Sequence, residues 1–170
     1  MDLSKVRQSL PGNVSLVALD RSFDVDFEIF PEEEHLLPAK TSPERWVEFR
    51  LGRHAAHLAL VEIGCEPEPV LRGPNREPIW PPGVVGSITH DGNHVMAAVA
   101  WNSDAAGIGI DLELIGRYFP GLETEIASGT ELAALTRLEG RSREEATIEV
   151  FSAKETIYKA HYPRIGRFFG

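Results

Sequence analysis

The chain has 170 residues, 42% of them hydrophobic, and a formal charge of -9 at pH 7. That apolar content suffices for a packed core in one or two small domains, and the acidic balance disfavours nonspecific attraction to nucleic acid or anionic membrane. A single cysteine, Cys65, excludes an internal disulfide; no apolar run is long enough to span a bilayer and Met1-Asp2-Leu3-Ser4-Lys5 does not open a signal peptide, so a cytoplasmic location is expected.

Val14 to Leu19 reads as a first strand. From Asp20 to Glu34 there are seven acids and one arginine, Arg21, a net of -6, so the remainder is closer to balance and leaves room for a local basic pocket. Pro31 is placed to start a short helix, and this acidic stretch is expected to lie away from any site that binds a polyanion. Thr41-Ser42-Pro43-Glu44 carries a capping-box pattern, Thr41 with Glu44, and opens a helix that closes at Gly64. Trp46, Phe49, Ala56, Leu60 and Ile63 give it an apolar side. Arg50, Arg53, His54 and His57 lie among them, and by spacing alone the arginines are expected to snorkel to water.

Residues 66 to 83 hold Pro67, Pro69, Pro74, Pro78, Pro81 and Pro82, a stiff connection with room for short strands around Val70 and Ile79. Val84 to His90, then Asp91-Gly92-Asn93, then His94 to Ala100 is a strand, a turn and a strand. Thr89 and His90 fall at the strand end beside the glycine turn, where a hydroxyl, an imidazole and backbone N–H groups can face an anion.

Gly107 to Leu114 alternates as a further strand, with Asp111 and Glu113 on one face and Ile110, Leu112 and Leu114 turned to a core. Two carboxylates so close repel unless a cation, a basic side chain or a proton lies between them, and a few hard oxygen ligands suit Mg²⁺ beside a phosphate. Alone, such a pair is more often a solvated strand edge. Residues 116 to 140 read as a loop with one or two short helices. Ser142-Arg143-Glu144-Glu145 is a second capping box, opening a helix expected to run to Tyr162 and stop at Pro163. Glu155 and Lys159 share one face of it, either as a surface ion pair or as a third carboxylate and a phosphate-facing cation.

Five blocks in this order resemble the motifs of the 4'-phosphopantetheinyl transferases of the broad-specificity type that serve siderophore and other peptide synthetases. They are Gly52-Arg53-His54-Ala55-Ala56; Gly73-Pro74-Asn75-Arg76-Glu77-Pro78 with Trp80-Pro81; Gly86-Ser87-Ile88-Thr89-His90; Gly109-Ile110-Asp111-Leu112-Glu113; and Phe151-Ser152-Ala153-Lys154-Glu155 with Lys159. The resemblance implies an α/β (α+β) fold of two pseudo-symmetric subdomains, 1–106 and 107–170, each a long helix on a small antiparallel sheet. It implies transfer of the phosphopantetheine arm of coenzyme A, as co-substrate, to a serine of an acyl or peptidyl carrier protein, with no nucleic-acid or membrane partner.

By the same motif match, Asp111, Glu113 and Glu155 are expected to hold Mg²⁺. Lys159 and Lys154 would add positive charge at the pyrophosphate, and Arg53, Arg76, Thr89 and His90 would grip the nucleotide and its 3'-phosphate, with Arg53 and His90 meeting at one phosphate. Glu155 would also take the serine proton, directly or through a metal-bound water. Asp91 departs from the pattern, since related sequences often carry an uncharged residue after this histidine.

Family members continue with several more strands beyond the position of Gly170. The second subdomain is therefore expected to be incomplete, with Ile148, Phe151 or Ile157 left exposed, residues 14 to 114 better packed, and transfer by this chain weak or absent unless another chain covers the last helix. Two other readings compete: a non-catalytic remnant that binds coenzyme A or a carrier protein, and a metal-dependent nuclease, which the lack of a basic stripe disfavours.

Overall fold

A computed structural model describes residues 3–22, 27–135, 137 and 142–166. Part of the acidic connection (23–26), part of the loop before the last helix (138–141) and the expected lead into a further strand (167–170) lie outside the described residues.

The first half is built on a three-stranded antiparallel sheet, β1 (Ser15–Asp20), β5 (His94–Trp101) and β4 (Val84–Asp91), with β5 in the middle. Centrality explains the composition of β5: both its faces are covered, so Val95 to Ala100 form a continuous apolar run. Alternate residues go to opposite sides, Ala97 and Val99 toward one core and Met96, Ala98 and Ala100 toward the other. The β4–β5 hairpin is the one expected, one residue longer on each strand, closing at the Asp91–His94 pair through Gly92, whose φ of 53° suits glycine. A short α1 (Ser4–Ser9) precedes the sheet, with Leu3 and Leu10 packed on its second core.

The long helix α3 (Pro43–Glu62) lies across β1, β5 and β4, burying Ala55, Ala56, Ala59 and Leu60 against Val17, Ala97 and Val99. Its cap is Ser42, whose Oγ accepts the Arg45 N–H at 3.3 Å; Thr41, expected as the cap, instead donates its hydroxyl to the Pro38 carbonyl. A second correction concerns the polar residues of this helix. Arg50, Arg53 and His57 do not reach to water but are 9%, 7% and 9% exposed. They are buried because α2 (Pro31–Glu34), one turn of the acidic stretch, packs over them with Glu33 wholly enclosed. Glu33 accepts from His57 Nε2 at 2.9 Å and from the Val70 N–H at 2.8 Å, and it stands 3.8 Å from Arg53 Nε. The acidic stretch therefore does not stay clear of the basic residues: Glu33 stands beside Arg53 and His57, and Glu34 accepts from Arg50 Nη1 at 2.7 Å, since a buried cation requires a partner.

The proline-rich connection forms a two-stranded ribbon, β2 (Leu71–Arg72) with β3 (Pro78–Ile79). In the second half a 3₁₀ turn (Ile115–Arg117), α4 (Leu122–Ile126) and α5 (Gly129–Leu135) lead to α6 (Arg143–Ile165). The Ser142–Glu145 capping box forms as expected, but α6 runs past Pro163 to a Gly166 cap with φ 65°. Proline is tolerated there because it removes a single helix bond within the last turn.

Residues 107 to 114 belong to neither sheet, so the expected strand is absent. Instead of a backbone ladder, two hydroxyls of β4 hold the segment: Ser87 Oγ accepts the Ile110 N–H at 3.2 Å and Thr89 Oγ1 the Leu112 N–H at 3.1 Å. The alternation survives in part, with Ile108 and Ile110 in the second core, whereas Leu114, expected there, is 50% exposed. Among the described residues the second half contributes no strand. Its helix still finds cover from α4, α5, the 3₁₀ turn and β4, so Ile148 is buried and Phe151 half-buried, and of the three only Ile157 is exposed.

Candidate functional site

Two glycines bring the acidic segment to α6. A Cβ at Gly109 would overlap the Thr156 carbonyl oxygen, and one at Gly107 the Ala160 carbonyl oxygen, so the chain can lie directly on the helix backbone only without side chains at these positions. Asp111 follows at once and meets Lys159, whose Nζ donates to Asp111 Oδ1 at 2.5 Å. Thr89 Oγ1 approaches the same oxygen at 3.4 Å, while Asp111 Oδ2 is buried with no hydrogen-bond partner.

Asp111, Glu113, Glu155 and Lys159 line one cleft of about 320 Å³ with Thr89, His90, Phe151 and Arg117. The sequence placed the first four together, 48 residues apart at the Asp111–Lys159 pair, and the structure brings them to one wall. They are not a closed ligand set as they stand, because among the described residues no three acids, histidines or cysteines are grouped to hold an ion. Protein cations lie on two of these carboxylates: Lys159 is on Asp111, and Arg117 Nη1 donates to Glu113 Oε2 at 3.1 Å. Burial raises the Glu113 carboxyl above its ordinary range, with Arg117 opposing that shift. Hard carboxylate oxygens, one of them orphaned, fit a divalent cation better than any other ligand class.

A second cleft, of about 590 Å³, adjoins the first and shares His90 and Ile88 with it. Arg53 and Arg76 line it, as does His90, together with Lys40, Arg45 and Arg72, which sequence reasoning missed. Arg45 was within reach of a helical argument, since Arg45, Phe49, Gly52 and Arg53 follow three- and four-residue spacing on one side of α3. Arg45 Nη1 donates to His90 Nε2 at 2.6 Å, which requires that nitrogen to be an acceptor. Burial first and Arg45 second hold the His90 imidazole below its ordinary 6.5. Burial likewise pulls Arg53 down to about 10, Glu33 opposing it, and the guanidinium lies over the Phe49 ring at 4.6 Å.

Two expected site residues fall elsewhere. Thr89 supports the acidic segment rather than lining the arginine-rich cleft. Lys154 faces away from both clefts, its Nζ donating to the Ile126 carbonyl at 2.6 Å and to Glu131 at 2.9 Å, where it joins α6 to α4 and α5. Lysines five apart on a helix differ by about 140° in direction, so Lys154 and Lys159 cannot both face Asp111.

The fold and site together define an α+β protein that sets a cleft of acids against a cleft of arginines. Two family models match this chain, the 4'-phosphopantetheinyl transferase N-terminal domain over residues 32–100 and the 4'-phosphopantetheinyl transferase superfamily over residues 107–170. It is 35% identical over 161 residues to 4'-phosphopantetheinyl transferase Npt of Nocardia iowensis, covering 95% of this chain and 71% of that protein. It is 40% identical over 139 residues to 4'-phosphopantetheinyl transferase Svp of Streptomyces mobaraensis (81% and 56%), and 31% over 125 residues to Enterobactin synthase component D of Salmonella typhi (72% and 50%). The chain belongs to the 4'-phosphopantetheinyl transferase superfamily. It spans between half and about seven-tenths of the length of these relatives. Among the described residues no helix is long and apolar enough to cross a membrane.

Proposed function

We propose that this chain transfers the 4'-phosphopantetheine arm of coenzyme A to a serine hydroxyl of an acyl or peptidyl carrier protein, with Mg²⁺ as cofactor. The observation that carries this reading is the shared wall of the two clefts: His90 and Ile88 line both, so one ligand can lay its nucleotide phosphate among the arginines and its pyrophosphate beside the acids. In the reaction the serine Oγ bonds to the phosphorus that carries the pantetheine arm. The bridging P–O bond to the nucleotide breaks, and adenosine 3',5'-bisphosphate leaves.

Arg45, Arg53, Arg72, Arg76 and His90 bind the nucleotide and its 3'-phosphate, arginine being suited to this by its bidentate fork. Asp111, Glu113 and Glu155 would hold Mg²⁺, which when bound spreads the charge developing on the leaving phosphate. Lys159 places a further positive charge at the same cleft. Glu155, on α6 and lining that cleft, takes the serine proton.

The test is intact mass spectrometry of an apo carrier protein after incubation with this chain, coenzyme A and Mg²⁺. A gain of one phosphopantetheine arm is expected, and an unchanged carrier mass under conditions where coenzyme A binds would leave a binding remnant instead.

A further inference from the structure

Ser87, Thr89 and Asp91 form a row on one face of β4, all three buried. The first two spend their side chains on the neighbouring segment, taking the amides of Ile110 and Leu112. Asp91, the third, takes none. It is 1% exposed, and neither of its carboxylate oxygens has a hydrogen-bond partner. A structural acid at that depth would be expected to accept backbone N–H groups, as Glu33 does. Among the described residues its ion pair is with Arg117, whose Nη2 lies 3.2 Å from Oδ1. The same guanidinium reaches Glu113 through Nη1 at 3.1 Å, although the Arg117 side chain is 54% exposed.

Arg117 thus stands between two acids, one of them enclosed, while itself remaining free enough in solvent to swing away. In the same cleft Asp111 Oδ2 is buried, an acceptor with no donor among the described residues. Three carboxylates, those of Asp111, Glu113 and Glu155, line this cleft with the cations Lys159 and Arg117, and Asp91 lies directly behind Arg117, so the acids outnumber these cations and leave an excess of negative charge that a divalent ion suits.

We propose that Asp91 is a fourth acid of the metal cleft and that Arg117 is its resident counter-ion, which a divalent cation displaces from Asp91 and Glu113 on binding. The inference rests on the Mg²⁺ reading above and adds two residues that the family motifs do not supply. In the metal-free state Arg117 keeps the buried Asp91 from standing as an isolated charge. On metal binding it is released to solvent next to the pyrophosphate position, so cation binding and the freeing of a guanidinium are one exchange.

The experiment is calorimetric titration of Mg²⁺ alone, without coenzyme A, into the wild-type chain and the variants Arg117→Gln, Asp91→Asn, Asp91→Asn/Arg117→Gln and Asp111→Asn. Removing the competing arginine should tighten Mg²⁺ binding roughly threefold to tenfold, a modest range because the guanidinium itself is half-exposed and its pairs are partly screened by water. Asp91→Asn should weaken it, and Asp111→Asn should abolish it. Should Arg117→Gln fail to fold, with Asp91 left unpaired, the double variant carries the comparison, since it ought to bind Mg²⁺ more tightly than Asp91→Asn alone. Mg²⁺ affinity unchanged or lowered by loss of Arg117, in a chain where Asp111→Asn abolishes binding, would overturn this inference and leave the metal reading standing. No Mg²⁺ binding by the wild type would overturn both.

Discussion

Lys159 Nζ lies 2.5 Å from Asp111 Oδ1 and ties the second turn from the end of α6 to the segment that follows the first sheet. Asp111 is 4% exposed at its side chain and Lys159 27%, so the contact is mostly shielded from water. Lys159→Ala should therefore lower stability by about 1–3 kcal/mol by stranding a buried acid, and also reduce transfer. Lys154→Ala, which loosens the junction of α6 with Ile126 of α4 and Glu131 of α5, should lower the melting temperature slightly and leave transfer largely intact. Paired activity and melting measurements on the two variants separate these roles.

Asp111 should matter to transfer far more than to nucleotide capture, because the acids and the arginines occupy different clefts. Asp111→Asn is expected to slow transfer by at least about 100-fold while coenzyme A binding, measured by calorimetry without metal, changes little. Equal losses in both measurements would contradict that division of labour.

His90 should make coenzyme A binding depend on pH. In the free chain burial and Arg45 keep it below 6.5, whereas a bound phosphate favours its charged form and raises it. Binding then takes up a proton, so coenzyme A affinity should rise as pH falls through the bound-state value and level off below the free one. His90→Gln should remove this component and thereby separate it from titration of the phosphate itself, near about 6. Without ligand the sign for stability is the opposite of a salt-bridged histidine: the unfolded chain takes the proton more readily, and stability declines as pH drops below 6.5.

Gly109→Ala tests the docking of the acidic segment on α6. The added methyl would meet the Thr156 carbonyl oxygen, part of a helix backbone that cannot step aside. A loss of about 1–3 kcal/mol or more in denaturant unfolding is expected, with transfer impaired even in the folded fraction because Asp111 is pushed from Lys159.

Glu33 should prove one of the most costly single positions in the first half. It is fully enclosed and serves His57, the Val70 amide and Arg53, so Glu33→Ala leaves buried groups unsatisfied and should cost about 3–5 kcal/mol. Urea unfolding monitored at the tryptophans measures it.

What the sequence determined by itself is what short-range physics governs. The Asp91-Gly92 turn between two apolar runs specified the hairpin, Ser142 with Glu145 specified the start of α6, and the ordered motifs specified the family, because a turn, a cap and a motif each lie within a few residues of chain. The grouping of Asp111, Glu113, Glu155 and Lys159 was legible only through motif resemblance; spacing alone left a surface pair and a solvated edge open. Tertiary structure alone decided the rest. Whether Arg53 and His57 reach water depended on Glu33 arriving from another helix. Whether residues 107–114 join a ladder depended on Ser87 and Thr89 offering hydroxyls in place of backbone partners. And Arg117 meets Asp91 only because the chain turns back in a 3₁₀ turn after the acids. Such pairings join residues distant in sequence and are selected by burial, whose cost for an unpartnered charge exceeds any local preference of the chain.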